Sequence, residues 1–435
     1  MTQTSNRPSG AAPDPSPRTA TDLPDRMLAV TACGPGFENV QVRAVPVPRP
    51  GPRQILARVD AAGVCTSNLK LIAQGADHPF LNGWDMQRWP IILGDEGCIT
   101  LVEIGPDLRQ QFRPGERYVV QPAVDCGPLL HRERYRNNGE GMHKCAVGYS
   151  LPGHLAQYIL VQEEVLAAEC LVPLPDPELP FFASSMAEPI SCVVSAQERH
   201  VHIMKDGPHD PRRPHVGLLP GGVTIVRGAG AMGRMHAELA LRFRPRLLIV
   251  ADRSAEKRSR TQSAIGRKAR EAGTRLLCIH ADEIEEILQR ETGGEGADDY
   301  ILALGVRGEH QRALGLLAPG GVADLFGGLP KGEHLLQLNS VDVHYREVRV
   351  VGSSGGEPSD MAATLRAVSD GEIDPGNYVA AVGSLDNAVT VLERIRDRRI
   401  DGRAILYPHI APTPLRDVET WSAKAERDFL SAQHP

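Results

Sequence analysis

Gly228, Gly230 and Gly233 fall in the spacing G-x-G-x-x-G, and Asp252 follows nineteen residues after the last of them. In this pattern the first glycine permits a tight turn, the second lets backbone approach a pyrophosphate, and the third lets a helix pack closely on a strand. The helix N-terminus then meets the phosphates with free amide groups and the positive end of its dipole. An acid where Asp252 stands accepts hydrogen bonds from the ribose hydroxyls of an adenosine and repels a 2′-phosphate, which favours NAD over NADP. Arg253 and Arg258 are near enough to turn towards a phosphate, so NADP stays open.

Glycines at this spacing need particular elements around them. Val223 to Val226 is a β-branched run that reads as a buried strand, Met232 to Phe243 has helix-forming composition, and Leu247 to Val250 is a second apolar strand ending at the acid. Strand, glycine turn, helix, strand, acid is the order a dinucleotide site requires. The cofactor-facing set is Gly228, Gly230, Met232, Gly233, Asp252 and Arg253.

The chain of 435 residues has room for two domains with sizeable cores. Asp and Glu number 54 against 48 Lys and Arg, a formal net charge of −6, so no global basic footprint for nucleic acid exists. No run of eighteen apolar residues offers a membrane span. Eight scattered cysteines lack the density of a disulfide scaffold and point to a reducing cytoplasm.

Residues 1–26 hold five prolines, no aromatic residue and no apolar signal core, which predicts a disordered tail. From Met27 short strands and Pro/Gly turns alternate, the pattern of a β-rich first domain. His202 to Leu219 reads as a loop inserted between domains, its histidines without recognisable ligand spacing. After Ile410 the prolines give way to one amphipathic helix through Trp421 and Phe429, expected to dock on the body or on a second subunit.

The segments DAAGVCTSNLK, PIILGDEGCITLVEIG, FRPGERYVV and MAEPISCVV resemble the hallmark segments of the medium-chain dehydrogenase/reductase family, the zinc alcohol and polyol dehydrogenases. GGEGADDYILALG, LLAPGGVADLFGGLP, VRVVGSSGG and DNAVTVLERIRDRRIDGRAILYP extend the resemblance to about residue 410. It implies an α/β architecture: a GroES-like β-barrel catalytic domain over 27–196, a Rossmann domain with a doubly wound parallel sheet over 197–356, a return to the catalytic domain over 357–410 and an extension over 411–435.

The resemblance also implies a catalytic metal, one zinc ion per chain. Its ligand positions fall on Cys65, on Asp95 where the family has histidine, on Glu96 and on Glu188, while Ser67 falls where a hydroxyl relays the substrate proton. Ser67 and Glu96 are thus the expected catalytic residues. One thiolate and three carboxylates would lower the Lewis acidity of the ion and make manganese or magnesium more tolerable, although the thiolate still favours zinc. The family's structural zinc lobe needs four closely spaced cysteines, and the corresponding stretch has only Cys126 and Cys145, so no structural zinc is expected.

The insert Gln74 to Trp89 brings Asp77, His78, Asn82 and Asp85 among aromatic residues, a wall suited to a polyhydroxylated substrate. Several segments are also similar to the L-sorbose 1-phosphate reductase branch of the family, which implies a ketose phosphate and hexitol phosphate pair; Lys70, Arg132, Arg134 and Arg136 are the candidate phosphate partners. The expectation is an oxidoreductase moving hydride between a nicotinamide cofactor and a polyol or sugar, as a homodimer or homotetramer. A metal-free carbonyl or enone reductase on the same scaffold, and a non-catalytic dinucleotide-binding protein, are the alternatives.

Overall fold

The computed structural model describes residues 23–330 and 332–433. Most of the expected tail lies outside the described residues. Its last residues do not behave as a tail: Leu23 is buried beside Met27, the Val47 amide donates to the Asp25 carbonyl, and a strand begins at Arg26.

The first half of the chain builds an eight-stranded sheet whose centre is the antiparallel pair Ile55–Gly63 and Glu96–Ile104. Three strands from the far end of the chain, Val379–Ser384, Arg403–Tyr407 and Arg416–Asp417, complete it, and Ile405 lies opposite Gly63. Closing a sheet with a returning segment removes an exposed edge and buries a core that includes Ile55, Val59, Leu71, Ile99, Leu101 and Leu406.

The second half is a six-stranded parallel sheet, and its order places Val223–Arg227 between Leu247–Ala251 and Ala297–Leu302. Arg275–Ile279 and Arg349–Val351 form its edges. Numbered along the chain this is the 3-2-1-4-5-6 order of a dinucleotide-binding sheet, with a crevice at the point where the order reverses. Both faces are covered, which is why Val223–Arg227 and Leu247–Ala251 are buried at every position.

The two halves share a core. Met235 and Leu239 of the helix Ala231–Ala240 pack with Ile190 and Val194 of the helix Ala187–Glu198 and with Ala61 and Ile405 of the first sheet. Among the described residues no helix is long and apolar enough to cross a membrane.

Two expectations need correcting. His202 to Leu219 is not a loop, because Val201–Met204 and Arg213–Val216 pair as an antiparallel hairpin. The C-terminal helix starts at Ala423, so Trp421 precedes it; Trp421 is buried against the body, where its Nε1 donates to the Tyr407 hydroxyl at 2.9 Å.

Candidate active site

The site grows from one corner of the first sheet. Gly63, at the end of its strand, lies opposite Glu96 at the start of the next, so Cys65 two residues on and Asp95 one residue back emerge together. The Val64 amide donates to the Ala404 carbonyl at 3.1 Å, which brings Arg403 to the same corner. Ligand atoms of Cys65, Asp95 and Glu96 all lie within 4.8 Å of one another.

Short-range contacts fix these groups. The Ser67 hydroxyl donates to Asp95 Oδ2, and Asn68 Nδ2 donates to Asp95 Oδ1 at 3.5 Å while its Oδ1 accepts the Gly94 amide. Ser67 and Asn68 open the helix Ser67–Gln74, so one helical turn positions the residue that replaces the expected histidine. Arg403 Nη1 forms an ion pair with Glu96 Oε1 at 3.2 Å, and its Nη2 lies 3.6 Å from Met232 Sδ on the helix of the parallel sheet. Arg403 therefore touches both the thiol–carboxylate cluster and the helix that follows the glycine turn.

Glu188 stands beside the trio and outside that 4.8 Å set; its Oε1 accepts from Cys192 Sγ at 3.6 Å, one helical turn along. Cys192, Arg403, Asn68 and Tyr149 were not expected from sequence. Only Cys192 left a local signal, four residues after Glu188 on a helix. Tyr149 is buried near Asp95 and Ser67, and the His78 ring packs on it at 4.8 Å between centroids.

The electrostatics of the corner are those of a site short of positive charge. Burial, then the neighbouring Asp95 and Glu96, pushes the Cys65 thiol well above its ordinary value. Burial pushes Glu96 up to about 7 in spite of Arg403. Asp95 is raised by burial in spite of the Ser67 hydroxyl, and Glu188 is raised by burial and by Glu96. Glu96 Oε1 has the Arg403 ion pair, and among the described residues Glu96 Oε2 has no hydrogen-bond partner. One guanidinium among four acidic groups, with a buried carboxylate oxygen left unpartnered, is a donor set that a divalent cation fits.

The dinucleotide turn has the geometry its glycines predict. Gly228 has a φ of +103°, and a Cβ on Gly233 would stand 1.7 Å from the Gly228 carbonyl oxygen. A Cβ on Gly230 would meet nothing within 4 Å. Asp252 Oδ2 accepts the Ala229 amide and Oδ1 the Ser254 amide, each at 2.8 Å, so the acid braces the turn it serves. Arg253 is exposed at the mouth, whereas Arg258 Nη1 is engaged by the Asp252 carbonyl at 2.8 Å. Beneath the turn, Arg227 pairs with Glu309 at 2.8 Å, an ion pair that sequence reasoning missed.

The insert and the basic cluster are more packed than expected. Trp84 and His78 are buried, and the Arg134 guanidinium lies over Trp84 and Trp89 at 5.4 and 5.1 Å. Lys70, Arg132 and Arg136 are exposed.

Comparison with known proteins adds identity to this geometry. Residues 51–176 match the alcohol dehydrogenase GroES-like domain, and residues 231–370 match the zinc-binding dehydrogenase domain. The chain is 30% identical over 362 residues to L-sorbose 1-phosphate reductase of Klebsiella pneumoniae, covering 81% of this chain and 82% of that one. It is 27% identical over 402 residues to mannitol-1-phosphate 5-dehydrogenase of Aliivibrio fischeri, covering 90% and 89%. In fold it is similar to 2R,3R-butanediol dehydrogenase from Bacillus subtilis, with a TM-score of 0.68 at 19% identity, covering 88% of this chain and 100% of that one.

Proposed function

Because the chain belongs to the zinc-binding, medium-chain dehydrogenase family, we propose that it is a nicotinamide-dependent polyol oxidoreductase using a metal held by Cys65, Asp95 and Glu96, with Glu188 alongside. The observation that carries this reading is the place of Arg403, in contact with Glu96 of the ligand cluster and with Met232 of the helix that follows Gly230. Arg403 thus links the acid cluster to the helix that follows the glycine turn.

A divalent cation bound there supplies Lewis acidity that polarises a carbon–oxygen bond, and the dinucleotide supplies the hydride acceptor or donor. The protein's own residues do the rest. Arg403 offsets the carboxylates and is held charged, since Glu96 and Cys65 outweigh the cost of its burial. The Ser67 hydroxyl takes the proton of a substrate hydroxyl while its own passes to Asp95, the oxygen it already faces. Tyr149 stands beside Ser67 and Asp95, with the His78 ring packed on it.

The substrate we favour is a hexitol phosphate and its ketose phosphate, with a free polyol or sugar as the second reading. The similarity to mannitol-1-phosphate 5-dehydrogenase and L-sorbose 1-phosphate reductase supports it, as do the exposed Lys70, Arg132 and Arg136. NAD(H) is the favoured cofactor on the strength of Asp252. A homodimer or homotetramer is supported by the open sheet edge at Arg349–Val351 and the exposed Leu335 (73%), Val341 (55%) and Tyr345 (77%) near it in sequence. Eight free cysteines support a reducing, cytoplasmic setting. Dinucleotide reduction with paired polyols and polyol phosphates tests the reading; activity on none of them, with metal and dinucleotide present, would refute it.

A further inference from the structure

A second constellation of metal-binding side chains lies in the dinucleotide half, away from the cleft. His200, at the end of the helix Ala187–Glu198, and His202, on the first strand of the hairpin, form an H-x-H pair. Asp299, on the strand Ala297–Leu302, faces both. His200 Nδ1 and His202 Nε2 lie 2.6 and 2.9 Å from the same oxygen, Asp299 Oδ1, and the three ligand atoms are within 4.8 Å of one another. Asp299 Oδ2 accepts the Leu219 amide at 2.8 Å, which orients the carboxylate. All three residues are buried, His200 and Asp299 at 0% exposure.

What surrounds the trio points to an ion. Asp324, also 0% exposed, has no hydrogen-bond partner on either oxygen, and its Oδ2 lies 3.9 Å from His200 Nε2, itself without a partner. Asp299 and Asp324 carry a charge of −2 if ionised; a proton held on His200 between them cancels one of these charges, and one divalent ion cancels both. With Nδ1 of His200 turned to a metal, its Nε2–H faces Asp324, the carboxylate–histidine–metal arrangement that commonly orients a ligating imidazole. Two imidazoles and a carboxylate suit zinc and its first-row neighbours.

We infer that His200, His202 and Asp299 form a second, structural divalent-metal site of the zinc type, with Asp324 orienting His200. On binding, His200 Nδ1 and His202 Nε2 give up the protons they would otherwise share with Asp299 and offer lone pairs, so both imidazoles bind neutral. The ion ties the hairpin Val201–Val216 to the parallel sheet, beneath the helix that carries the dinucleotide turn.

The test separates this site from the one in the cleft. Protein carrying Cys65→Ser and Glu96→Gln is equilibrated with zinc, desalted and assayed for metal by mass spectrometry. Retention of one ion per chain, lost on adding His202→Gln, is the expected result. A folded Cys65→Ser/Glu96→Gln protein that retains no zinc overturns the inference and leaves the reading of the cleft standing. If the unmodified protein and this variant each hold one ion that His202→Gln removes, the second site stands and the metal of the cleft does not. Should His202→Gln fail to fold, cobalt substitution of the Cys65→Ser/Glu96→Gln protein decides. Weak visible ligand-field bands without thiolate charge transfer support the site, and a featureless spectrum refutes it.

Discussion

Gly230→Ala distinguishes a turn built for a ligand from one built for packing. Gly230 has φ −67° and ψ −179°, extended backbone that alanine also adopts, and caps the helix Ala231–Ala240. An added Cβ meets no atom within 4 Å, so the protein itself has room for it. Alanine is a poorer N-cap than glycine by roughly 0.5–1 kcal/mol, and it restricts the unfolded chain by a similar ~0.4–1 kcal/mol, so the two effects offset. The thermal midpoint should barely move. If a pyrophosphate closes on this backbone, the methyl overpacks that contact by about 1–3 kcal/mol, which weakens dinucleotide binding roughly 5- to 150-fold. Gly233→Ala is the opposite case, because its Cβ would lie 1.7 Å from the Gly228 carbonyl oxygen and must force the turn apart without any ligand. Dinucleotide titration by protein fluorescence, alongside thermal unfolding, reads both. A Gly230→Ala protein that unfolds like the parent and binds dinucleotide as tightly would refute the assignment of Gly230 to the pyrophosphate.

Other outcomes follow from the same geometry. Asp252→Ala removes the acceptor for two amides and the repulsion of a 2′-phosphate, so the ratio of kcat/KM for NAD(H) over NADP(H) should fall at least about tenfold; an unchanged ratio places discrimination elsewhere. Chelation should abolish turnover while leaving dinucleotide binding intact, and Asp95→His should slow zinc loss to a competing chelator; a metal-free preparation at full activity contradicts both. Glu426 accepts the Phe181 and Phe182 amides and the Tyr407 hydroxyl, and burial pushes its carboxyl from 4.5 up to about 7. Between those values the folded protein holds a proton that the unfolded chain has released, so stability falls as pH rises through the window, by at most about 3 kcal/mol. Urea unfolding across that range should show the slope, and Glu426→Gln should flatten it.

How much could be read from sequence depended on how far apart the partners lie. The strand Val223–Arg227, its glycine turn and Asp252 occupy one continuous stretch, so spacing and periodicity sufficed. The family motifs around Cys65, Asp95 and Glu96 were legible for the same reason, since each is a short phrase on or beside one strand pair. Arg403 was not: the resemblance of its segment implied a return to the catalytic domain, but only the register of that strand against the first sheet brings its side chain to Glu96. The hairpin Val201–Val216 was misread because Pro208, Pro211 and Pro214 look like loop punctuation, while Ile203, Met204 and Val216 are exposed and lack the half-buried alternation of a strand. With the hairpin taken for a loop, His200 and His202 could not be joined to Asp299, nearly a hundred residues on and on a different element. His202, which spacing dismissed, His200 beside it, and Arg403 in the returning segment are where tertiary pairing assembles chemistry. In both places buried carboxylates outnumber the cations beside them, Arg403 alone in the first sheet's corner and the imidazolium of His200 between Asp299 and Asp324 in the dinucleotide half.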